Sequence, residues 1–302
     1  MSSAITVSGL RKTYGSFVAV DDVDLQVESG EVFAFLGPNG AGKTTTIDIL
    51  TGAQRRTSGT VSVLGRDPQN DEREWRAQVG VVPQGTAKYS DLTVREIIDH
   101  FASFYPDPFP TGQLIDMVGL GAKAKVLSTK LSGGQRRRLD VAVGVVGRPR
   151  LLFLDEPTTG LDPEARREAW ELVRLLTGTG MTTVLTTHYL DEAQELSQRA
   201  GIIVRGRIMH VGTLGELARL TGRRYRVSYD LDPLVEVPLS LAERMKSQPH
   251  SCLYGTDEPT ALLRLLLDAA QRHGIAEIPG LQITQTSLEQ IYINMVEQAK
   301  EN

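Results

Sequence analysis

Cysteine is nearly absent: Cys252 is the single one in 302 residues, which excludes an intramolecular disulfide or a thiolate metal cluster and fits a reducing compartment. No apolar run approaches the roughly 20 residues that cross a bilayer. Val141-Ala142-Val143-Gly144-Val145-Val146 is among the longest. The first residues, Met1-Ser2-Ser3-Ala4-Ile5-Thr6-Val7, hold no basic segment ahead of an apolar core, so no signal peptide is expected. Neither sign of charge dominates. The 33 Lys and Arg stand against 37 Asp and Glu, a net charge of −4, which argues against attraction to nucleic acid or anionic lipid. Sustained heptads are missing too. What remains, 40% apolar and 23% charged, is an ordinary globular composition, enough for one large core and a smaller domain, with the cytoplasm as default location. Short basic runs such as Arg136-Arg137-Arg138 read as a solvated helix face.

Against that background stands Gly37-Pro38-Asn39-Gly40-Ala41-Gly42-Lys43-Thr44, a complete G-x-x-x-x-G-K-[ST] loop. It follows the apolar run Val32-Phe33-Ala34-Phe35-Leu36, a predicted buried parallel strand, and leads into Thr45-Thr46-Ile47-Asp48-Ile49-Leu50, which can start a helix. In that order the three pieces build a phosphate cradle, in which backbone N–H groups curl around the anion and the helix adds its positive dipole end. Lys43 is then expected to reach the β- and γ-phosphates, and the Thr44 hydroxyl to ligate Mg²⁺. A dinucleotide fingerprint fails on spacing, because Gly42 is followed by Lys43-Thr44-Thr45 with no third glycine.

Residues 4–27 alternate in short β-like pieces, with Val23, Leu25 and Val27 on one face and Asp24 and Gln26 on the other, as in an antiparallel sheet. Between the pieces Tyr14 is open to two readings, a ring for stacking or simple turn packing. Val79-Gly80-Val81-Val82 is a predicted buried strand stopped by Pro83, which leaves Gln84 at the carboxyl end, where ligand-touching residues of open α/β sheets collect. Its amide can bind Mg²⁺ or an attacking water. Over residues 91–127 apolar residues recur at helical spacing around the three-proline loop 105–110, which reads as an inserted helical subdomain. It ends at Leu131-Ser132-Gly133-Gly134-Gln135, where Ser132 suits an N-cap and two glycines expose N–H groups at a helix start, a second anion site. Leu151-Leu152-Phe153-Leu154 is an apolar strand ending in Asp155, placed to hold Mg²⁺, and Glu156, placed to polarise a water for in-line attack. Another acid, Asp162, follows in the turn 157–163. A β-branched strand at 181–187 delivers His188 to the same strand-end edge, from which it can hydrogen-bond the γ-phosphate. Beyond residue 220 a small α+β module is expected, with strands at 224–229 and 281–284, helices at 260–270 and 288–296, and no catalytic constellation.

Taken in order, the phosphate loop, Gln84, Leu131 to Gln135, Leu151 to Glu156, Leu161-Asp162 and His188 resemble the nucleotide-binding subunits of ATP-binding cassette transporters over residues 4–220. The resemblance implies an α/β P-loop NTPase (ABC ATPase) with an antiparallel β subdomain, a helical subdomain inserted at about 88–145 and a small C-terminal α+β module. The expected division is a nucleotide-binding domain over 1–220 and an accessory domain over 221–302. It also implies an Mg²⁺-dependent ATPase. Tyr14 would stack on adenine, and Gly37, Pro38, Asn39, Gly40, Ala41, Gly42, Lys43, Thr44 and Thr45 would hold phosphates. Thr44, Gln84 and Asp155 would hold Mg²⁺. Glu156 would be the catalytic base, assisted by Gln84 and His188. Ser132, Gly133, Gly134 and Gln135 would bind the γ-phosphate of ATP held by an opposing subunit, with Asp162 at the interface. Two chains, expected as a homodimer, would sandwich two ATP molecules and drive a separate polytopic permease from the cytoplasmic face of the cell membrane. The run Leu139-Asp140-Val141-Ala142-Val143-Gly144, the stretch Thr186-Thr187-His188-Tyr189-Leu190-Asp191-Glu192-Ala193 and the tail Ser287-Leu288-Glu289-Gln290-Ile291-Tyr292 look like the drug-exporter branch, which includes daunorubicin-type resistance ATPases. One departure is the loop 85–90, which lacks the acidic residue often found after this glutamine. The rival reading is a soluble member of the superfamily acting on ribosomes or nucleic acid, disfavoured by a single cassette with no coiled coil and no basic face.

Overall fold

The computed structural model describes residues 3–285 apart from 71, 86–88, 90, 179, 220–224, 246 and 248. The chain forms two compact units, Met1–Val211 and Gly212–Asn302.

The first unit begins with a hairpin of β1 (Ser3–Tyr14) and β2 (Phe17–Glu28), turning at Gly15-Ser16. The short pieces expected over residues 4–27 are in fact two strands of 12 residues each. Register shifts along β1, between Val7 and Leu10 and between Leu10 and Lys12, break the alternation and hide the continuity. Val23, Leu25 and Val27 are buried and Asp24 and Gln26 exposed, as the pattern requires. β3 (Val32–Leu36) enters a second sheet and passes through the phosphate loop into α1 (Lys43–Leu50), while β4 (Ser58–Val63) returns to the hairpin to give the order β2-β1-β4.

The chain continues through α2 (Arg73–Arg76) and β5 (Val79–Val82) into the helical insert of α3 (Val94–Ala102), α4 (Thr111–Met117) and α5 (Gly133–Val145). It then alternates β6 (Leu151–Asp155), α6 (Pro163–Thr177), β7 (Thr182–Thr187), α7 (Leu190–Leu196), β8 (Arg199–Val204) and β9 (Arg207–Thr213). The resulting sheet has the order β5-β6-β7-β3-β8-β9 and is parallel from β5 through β8. Every residue of β3, β6 and β7 is buried, which is why these runs are continuously apolar or β-branched rather than alternating. β5 departs from the buried strand that its sequence predicts. It lies at the sheet edge and leaves Val81 41% exposed. One core joins the two sheets, with Ile5, Val23 and Val27 from the hairpin packed among Phe33, Phe35, Ile49 and Phe153.

Parallel strands carry their carboxyl ends to one edge, and that edge holds Gly37 after β3, Gln84 beyond β5, Glu156 after β6 and His188 after β7. Near its C-terminal end helix α5 approaches β5 closely through Gly144 and Gly80. A Cβ on Gly80 would lie 2.3 Å from the Gly144 carbonyl oxygen, and one on Gly144 would lie 2.6 Å from Val82 Cγ2. The last turn of α5 is thereby held against β5.

In the second unit α8 (Leu214–Arg219) precedes an antiparallel sheet of order β11-β12-β10-β13, built from β10 (Tyr225–Tyr229), β11 (Ala242–Arg244), β12 (Cys252–Thr256) and β13 (Gln282–Gln285). Helix α9 (Pro259–Arg272) buries Leu262, Leu266 and Ala270 against Val227, Tyr229 and Tyr254. The helix expected at 288–296 lies outside the described residues. No helix among the described residues is long and apolar enough to cross a membrane.

Candidate functional site

The glycines of the phosphate loop divide their work. A Cβ on Gly37 would lie 2.5 Å from the Ile203 carbonyl oxygen on β8, and one on Gly42 would lie 2.6 Å from the Ala19 carbonyl oxygen on β2, so these two let the loop close onto the protein. Gly40, at φ +78°, has nothing within 4 Å of a Cβ position and keeps the open side of the loop bare. A groove of about 430 Å³ lies over it. Tyr14 and Phe17, 49% and 62% exposed, form one wall, Lys43, Thr44 and Thr45 line the loop side, and Gln84 and Glu156 complete the lining. Asn39, Gly40 and Gly42 also line it. Pro38 and Ala41 do not; Ala41 is buried and its N–H donates to the Pro38 carbonyl at 3.1 Å.

Glu156 occupies the first position beyond β6 with φ +46°, a left-handed conformation that costs a non-glycine residue on the order of 1–3 kcal/mol. Its N–H donates to the Thr186 carbonyl at 3.1 Å and to Thr186 Oγ1 at 3.0 Å. The carboxylate is 7% exposed. Its Oε2 accepts from Gln84 Nε2 at 2.7 Å and from Thr159 Oγ1 at 3.1 Å. Its Oε1 faces Lys43 Nζ at 3.7 Å and His188 Nδ1 at 3.4 Å. Lys43 also donates to the carbonyls of Gly37 and Pro38, at 2.8 and 3.2 Å, tying loop and carboxylate together. Burial pulls the Lys43 amine below the ordinary lysine range, while the charges of Glu156 and Asp155 pull it back up. Asp48 on α1 is pushed up by burial and by the Asp155 charge.

Thr44 Oγ1 donates to Asp155 Oδ2 at 3.4 Å, and Thr186 Oγ1 donates to Asp155 Oδ1. Thr44 and Asp155 thus present adjacent hard oxygen donors beside the loop, a set that fits Mg²⁺. With the Gln84 amide nitrogen committed to Glu156, its Oε1 is the atom suited to a metal or water. The His188 ring lies against that of Tyr189, with centroids 4.1 Å apart and planes tilted by 38°, and the Arg166 guanidinium lies 4.3 Å from the centre of the Tyr189 ring.

Ser132 and Asp162 stand apart from this groove. Ser132 caps α5 in a reciprocal box, its Oγ accepting from the Gln135 N–H at 3.3 Å while Gln135 Oε1 accepts from the Ser132 N–H at 3.1 Å. Asp162 caps α6 by accepting from the Ala165 N–H at 2.9 Å. The two helix starts are neighbours, since a Cβ on Gly134 would lie 3.2 Å from Ala165 Cβ. Ser132, Gly133 and Asp162 are exposed and line no part of the groove.

Two residues of the site escape sequence reasoning. Arg137, expected on a solvated face, is 5% exposed and donates to the carbonyls of Pro83 at 2.6 Å, Pro157 at 2.8 Å and Asp155 at 3.0 Å. A signal existed: at helical spacing it shares a face with Val141 and Gly144, which turn toward the core. Burial lowers the Arg137 pKa, opposed by Asp140, Asp155 and Glu192. Glu192 on α7 is fully buried, accepts from Thr158 Oγ1 at 2.8 Å and Trp170 Nε1 at 3.2 Å, and is pushed up by burial.

The model of the ABC transporter family matches residues 20–159, from the second strand of the hairpin to the turn beyond Glu156. The daunorubicin/doxorubicin resistance ATP-binding protein DrrA of Streptomyces peucetius is 37% identical over 96% of this chain and 91% of its own length. The chain belongs to the ABC transporter family. A second ABC relative, the Nod factor export ATP-binding protein I of Cupriavidus metallidurans, is 37% identical over 88% of this chain and 90% of its own. A solved ATP-binding subunit of an ABC transporter, 26% identical, matches 72% of this chain and 93% of its own with a TM-score of 0.65. The fold is therefore that of an ABC ATPase cassette, a P-loop NTPase.

Proposed function

We propose that this ABC subunit hydrolyses ATP between two copies of itself and thereby powers the export of a drug or another hydrophobic small molecule through a separate membrane permease. The observation that carries the reading is the convergence on Glu156 of Lys43, Gln84 and His188, within 2.7–3.7 Å, at a groove lined by the phosphate loop. Lys43 and the loop N–H groups bind the β- and γ-phosphates, and Tyr14 stacks on the adenine. Thr44, Asp155 and Gln84 would hold Mg²⁺, whose charge offsets that of the triphosphate. Glu156 takes a proton from the attacking water, and Gln84 and His188 hold that water and the terminal phosphate in line. The Ser132-Gly133-Gly134-Gln135 cap, exposed at Ser132 and Gly133, lies away from its own groove and closes over the γ-phosphate held by the second copy, with Asp162 beside it.

One relative's name carries daunorubicin/doxorubicin resistance and the other's Nod factor export, which supports export of a drug or another small molecule. Membrane attachment on the cytoplasmic face comes through the permease. Residues 221–302 form the accessory domain that docks the permease or the second copy, a role refuted if truncation near residue 220 leaves assembly and ATPase unchanged. The test of function is co-fractionation. The chain should sediment with membranes only when a polytopic permease is co-expressed; ATP-dependent retention on ribosomes or DNA instead would overturn export in favour of a soluble ABC ATPase.

A further inference from the structure

We propose that Arg137 is a positioning residue that ties the Ser132-Gly133-Gly134-Gln135 cap to the catalytic carboxylate of its own chain, so that closure of one ATP site is felt at the other. The proposal rests on the reading that Glu156 is the base and that the cap serves the second copy's nucleotide.

Arg137 lies in the second turn of α5, the helix that the cap opens. All three groups it bonds are backbone carbonyls, so what it grips is the path of the main chain. Those carbonyls are chosen by position. Pro83 immediately precedes Gln84, while Asp155 and Pro157 flank Glu156 on either side. The two residues that share the 2.7 Å bond at the groove, Gln84 and Glu156, are therefore both held from behind by one planar guanidinium. Glu156 needs such support, because its left-handed φ persists only where the surroundings enforce it. The contact is stiff on its other side as well. In the last turn of the same helix Gly144 packs directly on Gly80 and on the branched, stiff Val82 side chain, which leaves the helix little room to shift. A displacement of the cap by a nucleotide in the partner site is thus passed to the peptide units around Glu156 and Gln84.

Lysine at 137 keeps a charge but cannot direct donors along the three fixed directions of the fork. In the purified full-length chain with Mg²⁺ and ATP, Arg137→Lys should lower kcat roughly tenfold or more and bring the Hill coefficient from about 2 to about 1. Binding of a non-hydrolysable ATP analogue should change by less than about twofold, since the phosphate loop is untouched. Retained kcat and cooperativity in Arg137→Lys overturn the proposal, as does a wild-type Hill coefficient of one. Equal losses of turnover and analogue binding, or a loss of folded protein that accounts for the lost turnover, make Arg137 a packing residue and overturn it too. Failure of the underlying reading is seen elsewhere, as wild-type turnover in Glu156→Gln with Arg137 intact.

Discussion

Replacing Glu156 with glutamine changes one atom and one charge in a site whose geometry otherwise survives. The amide keeps an oxygen to accept from Thr159 or Gln84, which bond the carboxylate at 3.1 and 2.7 Å, but it cannot take a proton from water. A positioned general base contributes roughly 10²–10⁴ in rate, or about 2.7–5.4 kcal/mol of barrier. The lost charge acts on binding in the opposite direction. At 3.7 Å and an effective dielectric of about 20, the carboxylate attracts Lys43 Nζ by about 4.5 kcal/mol before desolvation. It repels a triphosphate in the same groove by the same law. Glutamine releases Lys43 to the phosphates and removes that repulsion, so ATP binding holds or strengthens while turnover collapses. Phosphate release at saturating Mg-ATP should fall roughly 10²–10⁴-fold, and light scattering should show a dimer that persists with ATP and dissociates on its removal. Turnover within threefold of wild type, or loss of ATP binding, refutes the role given to this carboxylate.

Gly37→Ala would press a methyl to 2.5 Å from a backbone oxygen on β8, a clash costing about 1–3 kcal/mol. Its melting temperature should drop by several degrees and ATP-analogue affinity should fall; an unchanged melt and titration would show that the loop has slack. Tyr14→Ala should raise KM for ATP roughly 5–150-fold, the worth of one base stacked on an aromatic ring, with kcat at saturation preserved. A KM equal to wild type returns Tyr14, whose ring lies 4.8 Å from Lys12 Nζ, to local packing. Glu192 is pushed above the ordinary glutamate value of 4.5 by burial, so the unfolded chain gives up its proton first and stability falls as pH rises from 4.5 toward the raised value. Melting Glu192→Gln beside wild type across that window should show wild type losing stability relative to the variant; parallel curves contradict the assignment.

The parts of the site that face ligand are legible because their chemistry restricts residue type over contiguous positions. The phosphate loop is eight consecutive residues, and Asp155 and Glu156 end an apolar strand. Gln84 and His188 follow from topology, since parallel strands deliver their carboxyl ends to one edge whatever their separation in sequence. What stays hidden acts on the main chain rather than on ligand. The left-handed φ of Glu156 has no glycine to announce it, and its N–H is held by Thr186 from a different strand. Arg137 sits within three consecutive arginines, and only the register of α5 on β5 separates the buried one from its partly exposed neighbours. Glu192 looks like a solvated helix residue until Thr158 and Trp170 are seen closing over it. The bulged hairpin and the short strands β11 and β12 were obscured similarly, because pairing set by distant partners leaves little local period. Motifs therefore mark where the site meets nucleotide, whereas its rigidity resides one layer behind, in groups selected for the carbonyls and hydroxyls they hold. If the cassette closes on a second copy as proposed, it needs both layers. A base mounted on unsupported left-handed backbone would relax out of line between closures, and the three carbonyls that Arg137 grips are the peptide groups through which such relaxation would begin.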